Sequence, residues 1–246
     1  MMYKNITTYL CCIFQLLHVA YSCAPPIPSN TTGPAPAFPT VTVGEDDYPD
    51  LATTGYVQNH FCLNVNNLTA SIEFYTKTFG MRMIFTFWAT EKMSITYLAH
   101  SQGGHNGSVY QTVSELNRNK NNMEGLLELI YYDYGHTNEH SSTIEHDTFS
   151  HLGVIVPDIH AAEKRFRENG VQVLRGAGKT ATEEFEKKLA RAYGLGKAWD
   201  ENKQEVIDLL NVILESVPGI NDFVFITDPD GNLIEIQPQD APQIPL

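Results

Sequence analysis

The chain has 246 residues, 42% of them hydrophobic and 11% aromatic, enough to bury a core and to exclude general disorder. Lys and Arg number 16 against 29 Asp and Glu, a formal net charge of -13. That balance excludes a nucleic-acid binder and a polybasic membrane-surface protein.

In chain order, residues 1–22 read as a secretory signal peptide, with Lys4 as the positive start, a short apolar run from Tyr9 to Ala20, and small residues at Ala20 and Ser22 before the cleavage point. The run is too short for a transmembrane anchor, and no later stretch is long and apolar enough to span a bilayer. The expectation is a secreted protein. Three glycosylation triplets, at Asn30, Asn67 and Asn106, agree with export. After cleavage only Cys23 and Cys62 remain, too few for a disulfide scaffold. Residues 23–54 form a Pro-rich linker that cannot bury a core, so folding is expected over 55–239.

The first folded stretch, HFCLNV, alternates apolar and polar residues as a half-buried strand does. A helix follows, with Leu68, Ile72, Tyr75 and Phe79 at helical spacing and Gly80 as its C-cap. Then come strand-like MRMIFTFWA and MSITYLAH, a polar loop over Ser101–Asn122, and the strand of GLLELIYYDYG. HTNEHSSTIEHD, with His136, His140 and His146, reads as a solvated connection. The order then repeats: the strand of SHLGVIVPDI, the amphipathic helix of IHAAEKRFRENG, VQVLRG, and the strands NDFVFIT and NLIEIQ around an Asp228-Pro229-Asp230-Gly231 turn. The expected fold class is α+β, two βαβββ modules, 59–135 and 149–237, in an open barrel-like mixed sheet. A helical insertion over 176–219 breaks the symmetry. Thr180 and Glu183 have capping-box spacing there, and Asp200 could cap a second helix. The insertion reads as a surface hairpin, a lid or a dimer contact.

Four polar residues stand where these strands should be apolar: His60, Glu128, His151 and Glu235. Each module has a His on its first strand and a Glu on its last. A carboxylate in an apolar strand is costly unless paired or bound to a metal. Modules related by a pseudo-twofold axis would bring the four to one concave face, where two imidazoles and two carboxylates suit one first-row divalent metal. Cys62, two residues from His60, shares that face and reads as a small packing residue.

The segments NVNNLTASIEFYTKTFGMRM, LLELIYYDYG, FSHLGVIVPDIHAAEKRFRENGV and FITDPDGNLIEI resemble glyoxalase I, the lactoylglutathione lyase family of the vicinal oxygen chelate superfamily. The resemblance implies a metal-dependent lyase or isomerase. The metal, Zn or Ni, would be held by His60, Glu128, His151 and Glu235. Of these, Glu235 would be the base that moves the substrate's proton, with Glu128 as the second catalytic carboxylate. It further implies glutathione as co-substrate and a homodimer or one two-module chain as the unit that completes the site. Where the family grips glutathione's carboxylates with two arginines and an asparagine, this chain has Asn64, Asp147 and Tyr132 as the candidate substrate-binding positions. Each lost charge-assisted contact is worth roughly 1.5–3 kcal/mol, so glutathione binding should be weakened. Readings left open are a tailoring lyase, cyclase or epimerase of the same superfamily, and a non-catalytic ligand-binding module.

Overall fold

The computed structural model describes residues 43, 44, 46, 48, 50–104, 107–133, 141–144 and 149–242. The signal segment, most of the linker, Asn30, Asn106, Asp147, Cys23 and the three loop histidines lie outside them. A 3-10 turn at Leu51–Thr53, capped by Asp50 and with no buried residue, precedes the first strand.

The first module runs β1 (His60–Val65), α1 (Leu68–Phe79), β2 (Arg82–Thr90), β3 (Met93–Ala99), α2 (Val113–Asn119) and β4 (Leu126–Tyr132). The second runs β5 (His151–Val156), α3 (Ile159–Glu168), β6 (Val173–Arg175), α4 (Glu183–Ala192), α5 (Gly196–Ser216), β7 (Val224–Thr227) and β8 (Leu233–Pro238). Each module folds into a four-stranded mixed sheet, β1-β4-β3-β2 and β5-β8-β7-β6, with the first strand parallel to the last. The βαβββ repeat expected from the sequence is therefore present. The two sheets are hydrogen-bonded separately, and no closed barrel joins them among the described residues.

Local chemistry places the helices. Asn67 caps α1 by accepting from the Ala70 N–H, and Gly80 ends it in the left-handed region at φ 70. Asp158 caps α3 by accepting from His160 and Ala161. The polar stretch taken for a loop contains α2. Thr112 and Glu115 form a full capping box at its start, a signal of the same kind as the one expected at Thr180 and Glu183. In the insertion the cap is Thr182, which accepts from Phe185. Asp200 lies inside α5, paired with Arg191, and the break in that helix falls at Asn202.

Strand alternation splits each sheet into two faces. Leu63, Val65, Leu127 and Leu129 of the first sheet, with Val224, Ile226, Ile234 and Ile236 of the second, join Tyr75, Ile159 and Phe166 of the helices in one core. The opposite face of the second sheet is covered by the insertion: Phe225 and Leu233 pack with Phe185, Leu189, Val206 and Leu210 of α4 and α5. β7 and β8 are thus buried on both faces, as their near-continuous apolar runs require. Among the described residues, the corresponding face of the first sheet has only α2 at one end, through Leu116 with Ala99 and Leu126. Phe87 and Tyr132 on that face stay exposed.

Candidate functional site

His60 opens β1 and His151 opens β5, while Glu128 and Glu235 sit in β4 and β8. The register is the same in both modules. His60 pairs with Leu126 and Cys62 with Glu128; His151 pairs with Leu233 and Gly153 with Glu235. Each Glu therefore faces the residue two places beyond its His, which puts His and Glu on one side of neighbouring strands.

In the first module the pair is in contact, with His60 Nε2 3.4 Å from Glu128 Oε2. The tautomer follows from Asn59. Its Nδ2 donates to the Lys120 and Met123 carbonyls, both at 2.8 Å, so its Oδ1 must face the His60 ring. His60 Nδ1, 3.0 Å from that oxygen, is then the donor. In a neutral ring this leaves a lone pair on Nε2 turned toward a carboxylate oxygen. Two acceptors at that distance repel unless a cation, a proton or a metal ion, lies with them. Glu128 also receives the Cys62 thiol, at 3.6 Å, and the Tyr97 hydroxyl. Tyr97 lies edge-on to the His60 ring at 5.4 Å and is stacked on Phe85. Burial, then Glu128, pushes the Cys62 thiol up to about 11. Burial and the bond to Glu128 push the Tyr97 phenol up to about 12. Both stay protonated at neutral pH and act as donors to the carboxylate.

In the second module Glu235 is buried on the face that the insertion covers, and Gln237 Nε2 donates to its Oε1 at 2.6 Å. Tyr193, just past α4, sets its ring 5.8 Å from the His151 ring. Burial, then the Glu235 charge, raises the Tyr193 phenol to about 12. His151 Nδ1 is 2.8 Å from the Ser150 hydroxyl. Beside Glu235 the space over Gly153 is open, since a Cβ there would meet nothing within 4 Å.

The structure thus brings His60 to Glu128 and places His151 and Glu235 at equivalent points of the other sheet. It does not bring the two pairs together. Among the described residues no group of three or more His, Cys, Asp or Glu is gathered to hold a metal ion. The expectation that one chain collects all four on a single concave face is corrected accordingly. The reason is packing: the faces opposite the His and Glu residues share the core, so the two half-sites lie on separate sheets. Asn64 and Tyr132 lie four residues beyond His60 and Glu128, on their face of the first sheet, and both are exposed. Asp147 is outside the described residues. Asn59, Tyr97, Tyr193 and Gln237 were not visible as site residues in the sequence. Only the placement of Gln237 two residues after Glu235 could have signalled one of them.

Among solved structures, the chain is similar to the trypanothione-dependent glyoxalase I of Leishmania major, with 17% identity and a TM-score of 0.43 over 75% of this chain and 87% of that one. It is similar to glyoxalase I from Zea mays, with 18% identity and a TM-score of 0.42 over 74% of this chain and 44% of that one. The lactoylglutathione lyase of Pseudomonas aeruginosa is 30% identical over 132 residues, covering 52% of this chain and 73% of that one. The sequence model of the Glyoxalase/Bleomycin resistance protein/Dioxygenase superfamily matches residues 57–187, and the chain belongs to that superfamily.

Proposed function

We propose that the protein is a secreted, metal-dependent lyase or isomerase that moves a proton between adjacent carbons of a hemithioacetal, or of a similar substrate with two vicinal oxygens. The observation that carries this reading is the pair of acceptors at His60 and Glu128, held by Asn59 in a tautomer that calls for a cation. A matching imidazole and carboxylate stand at the same register in the second module.

The ligands of one divalent ion, Zn or Ni, are His60, Glu128, His151 and Glu235. That ion supplies stabilisation of the negative charge that builds on the two vicinal oxygens as the proton leaves. Because one chain holds the pairs apart, we propose that two chains form a homodimer in which the His60–Glu128 pair of one meets the His151–Glu235 pair of the other. Exposed Phe87 and Tyr132 beside the first pair would be covered in that assembly.

Glu235 is the base. Gln237 holds one of its oxygens, leaving the other to take the proton from one carbon and return it to the next. The approach over Gly153 is wide enough for a substrate carbon. Tyr193 closes the other side and excludes water from the carboxylate. Glu128, fixed by Cys62 and Tyr97, orients its half-site.

With no cation at Asn64 or Tyr132, the methylglyoxal–glutathione adduct should be a poor substrate. Steady-state assays with that adduct and with hemithioacetals of other thiols, on protein of known metal content, test the reading. One equivalent of metal and turnover of one of these substrates are expected. Metal-free protein that binds no Zn, Ni or Co would defeat the mechanism. A kcat/KM of about 10⁴ M⁻¹s⁻¹ or more on the glutathione adduct would defeat the substrate assignment. Export is tested apart, by N-terminal sequencing of the extracellular protein, which should begin near Cys23.

A further inference from the structure

In a chain with a formal net charge of -13, three cations line a single cavity. Lys187, Lys188 and Arg191 of α4 face the turn at Thr143 and Ile144 across a space of about 560 Å³, with Glu184 as the one carboxylate among the described residues of the lining. Spacings of three and four residues along α4 put these side chains on one side of the helix. Two of the charges are partly answered: Lys188 pairs with Glu184 at 3.2 Å and Arg191 with Asp200 at 3.2 Å. Lys187 is exposed and has no ion pair among the described residues. The Thr143 hydroxyl is committed to the Gly231 carbonyl, so among the described residues the cations are the groups left to recognise a ligand. The stems of Lys188 and Arg191 are mostly covered, with side-chain exposures of 25% and 21%, which strengthens their field in the cavity.

From this placement we infer that the cavity is an oxyanion site, supplied by the insertion, for the carboxylate or phosphate of a small molecule. Binding of the anion itself needs no metal.

Calorimetric titration of the metal-stripped full-length protein with succinate and, separately, with inorganic phosphate tests it. Binding in the millimolar range, about tenfold or more weaker in Lys187→Glu and unchanged in Lys197→Glu on the exposed start of α5, is expected. The tighter of the two anions identifies the group recognised. Equal weakening in both variants, or no binding of either anion below about 10 mM, overturns the inference. Metal binding at His60, Glu128, His151 and Glu235, measured beside anion binding on the wild-type protein, separates the two ideas. Intact metal binding without anion binding removes the oxyanion site alone, whereas anion binding without any metal binding removes the lyase reading alone.

Discussion

His60 owes its chemistry to Asn59. Once the Asn59 amide nitrogen is spent on the Lys120 and Met123 carbonyls, its oxygen dictates which ring nitrogen of His60 carries the proton. Groups that orient a metal-binding histidine in this way typically contribute 10- to 100-fold in metal affinity. Asn59→Ala should therefore weaken Zn or Ni binding by about that factor, read by competition with a chromophoric chelator, while Asn59→Asp, which keeps the acceptor, should lose less. Equal affinity in Asn59→Ala would mean that the ring is held by its stack of neighbours alone. The four polar residues on the strands were legible in the sequence because a His on the first strand and a Glu on the last recur at equivalent places in both modules. Asn59 was not, since its role comes from carbonyls 61 and 64 residues away. Tyr193 was hidden for a similar reason, because its place beside His151 depends on how α4 packs and not on any local pattern.

Arg175 ties the insertion to the sheet at the scale of elements. Its buried guanidinium donates to the Lys179 carbonyl on one side of the insertion and to the Ile220 and Asn221 carbonyls on the other. It also lies over the Phe185 and Phe225 rings, at 5.9 and 5.7 Å from their centroids. A lysine has neither the planar fork nor the reach to satisfy three carbonyls in two directions. Arg175→Lys should cost about 2–5 kcal/mol, since it leaves buried acceptors unpaired, measured as the shift in urea midpoint at unchanged slope. If α4 and α5 serve to cover Glu235, the same variant should lower turnover more than it lowers metal affinity. The helical character of the insertion could be read from its periodicity, and a face of Phe185, Leu189 and Leu210 is what it buries. The capping positions could not be fixed in the same way. Thr180 and Thr182 are both eligible caps, and the choice falls to whichever lets Phe185 reach Phe225. α2 was missed because its seven residues carry a single buried side chain, Leu116, too few to show a period.

At the scale of the whole molecule, the modules are joined through their helix-covered faces and through the Asp228–Gly231 turn. The Tyr75 hydroxyl of α1 donates to Asp228 at 2.9 Å, and Asn66 and Ser71 donate to Asp230. The turn was legible as a hairpin, whereas its role as the strut between modules was not, because the partners lie 153 to 164 residues apart. Tyr75→Phe should cost about 1.5–3 kcal/mol, the range for a hydrogen bond to a charged group, seen as a lower midpoint in chemical denaturation. This joining of core faces is also what turns the two half-sites away from each other, and it sets up the strongest test of how the site is completed. A chain carrying His60→Ala and Glu128→Gln lacks the first pair, and a chain carrying His151→Ala and Glu235→Gln lacks the second. Each alone should bind no metal tightly, whatever the assembly. Unfolded together and refolded as a mixture, they should recover metal binding and turnover if the site spans two chains, because each heterodimer then holds one site with all four ligands wild type. With equal amounts and random pairing, half of the dimers are mixed and each carries one intact site of two, so about a quarter of wild-type capacity is expected. Sites built within single chains would recover nothing, since neither chain has a complete set. Recovery should also depend on protein concentration, falling as dilution separates the chains.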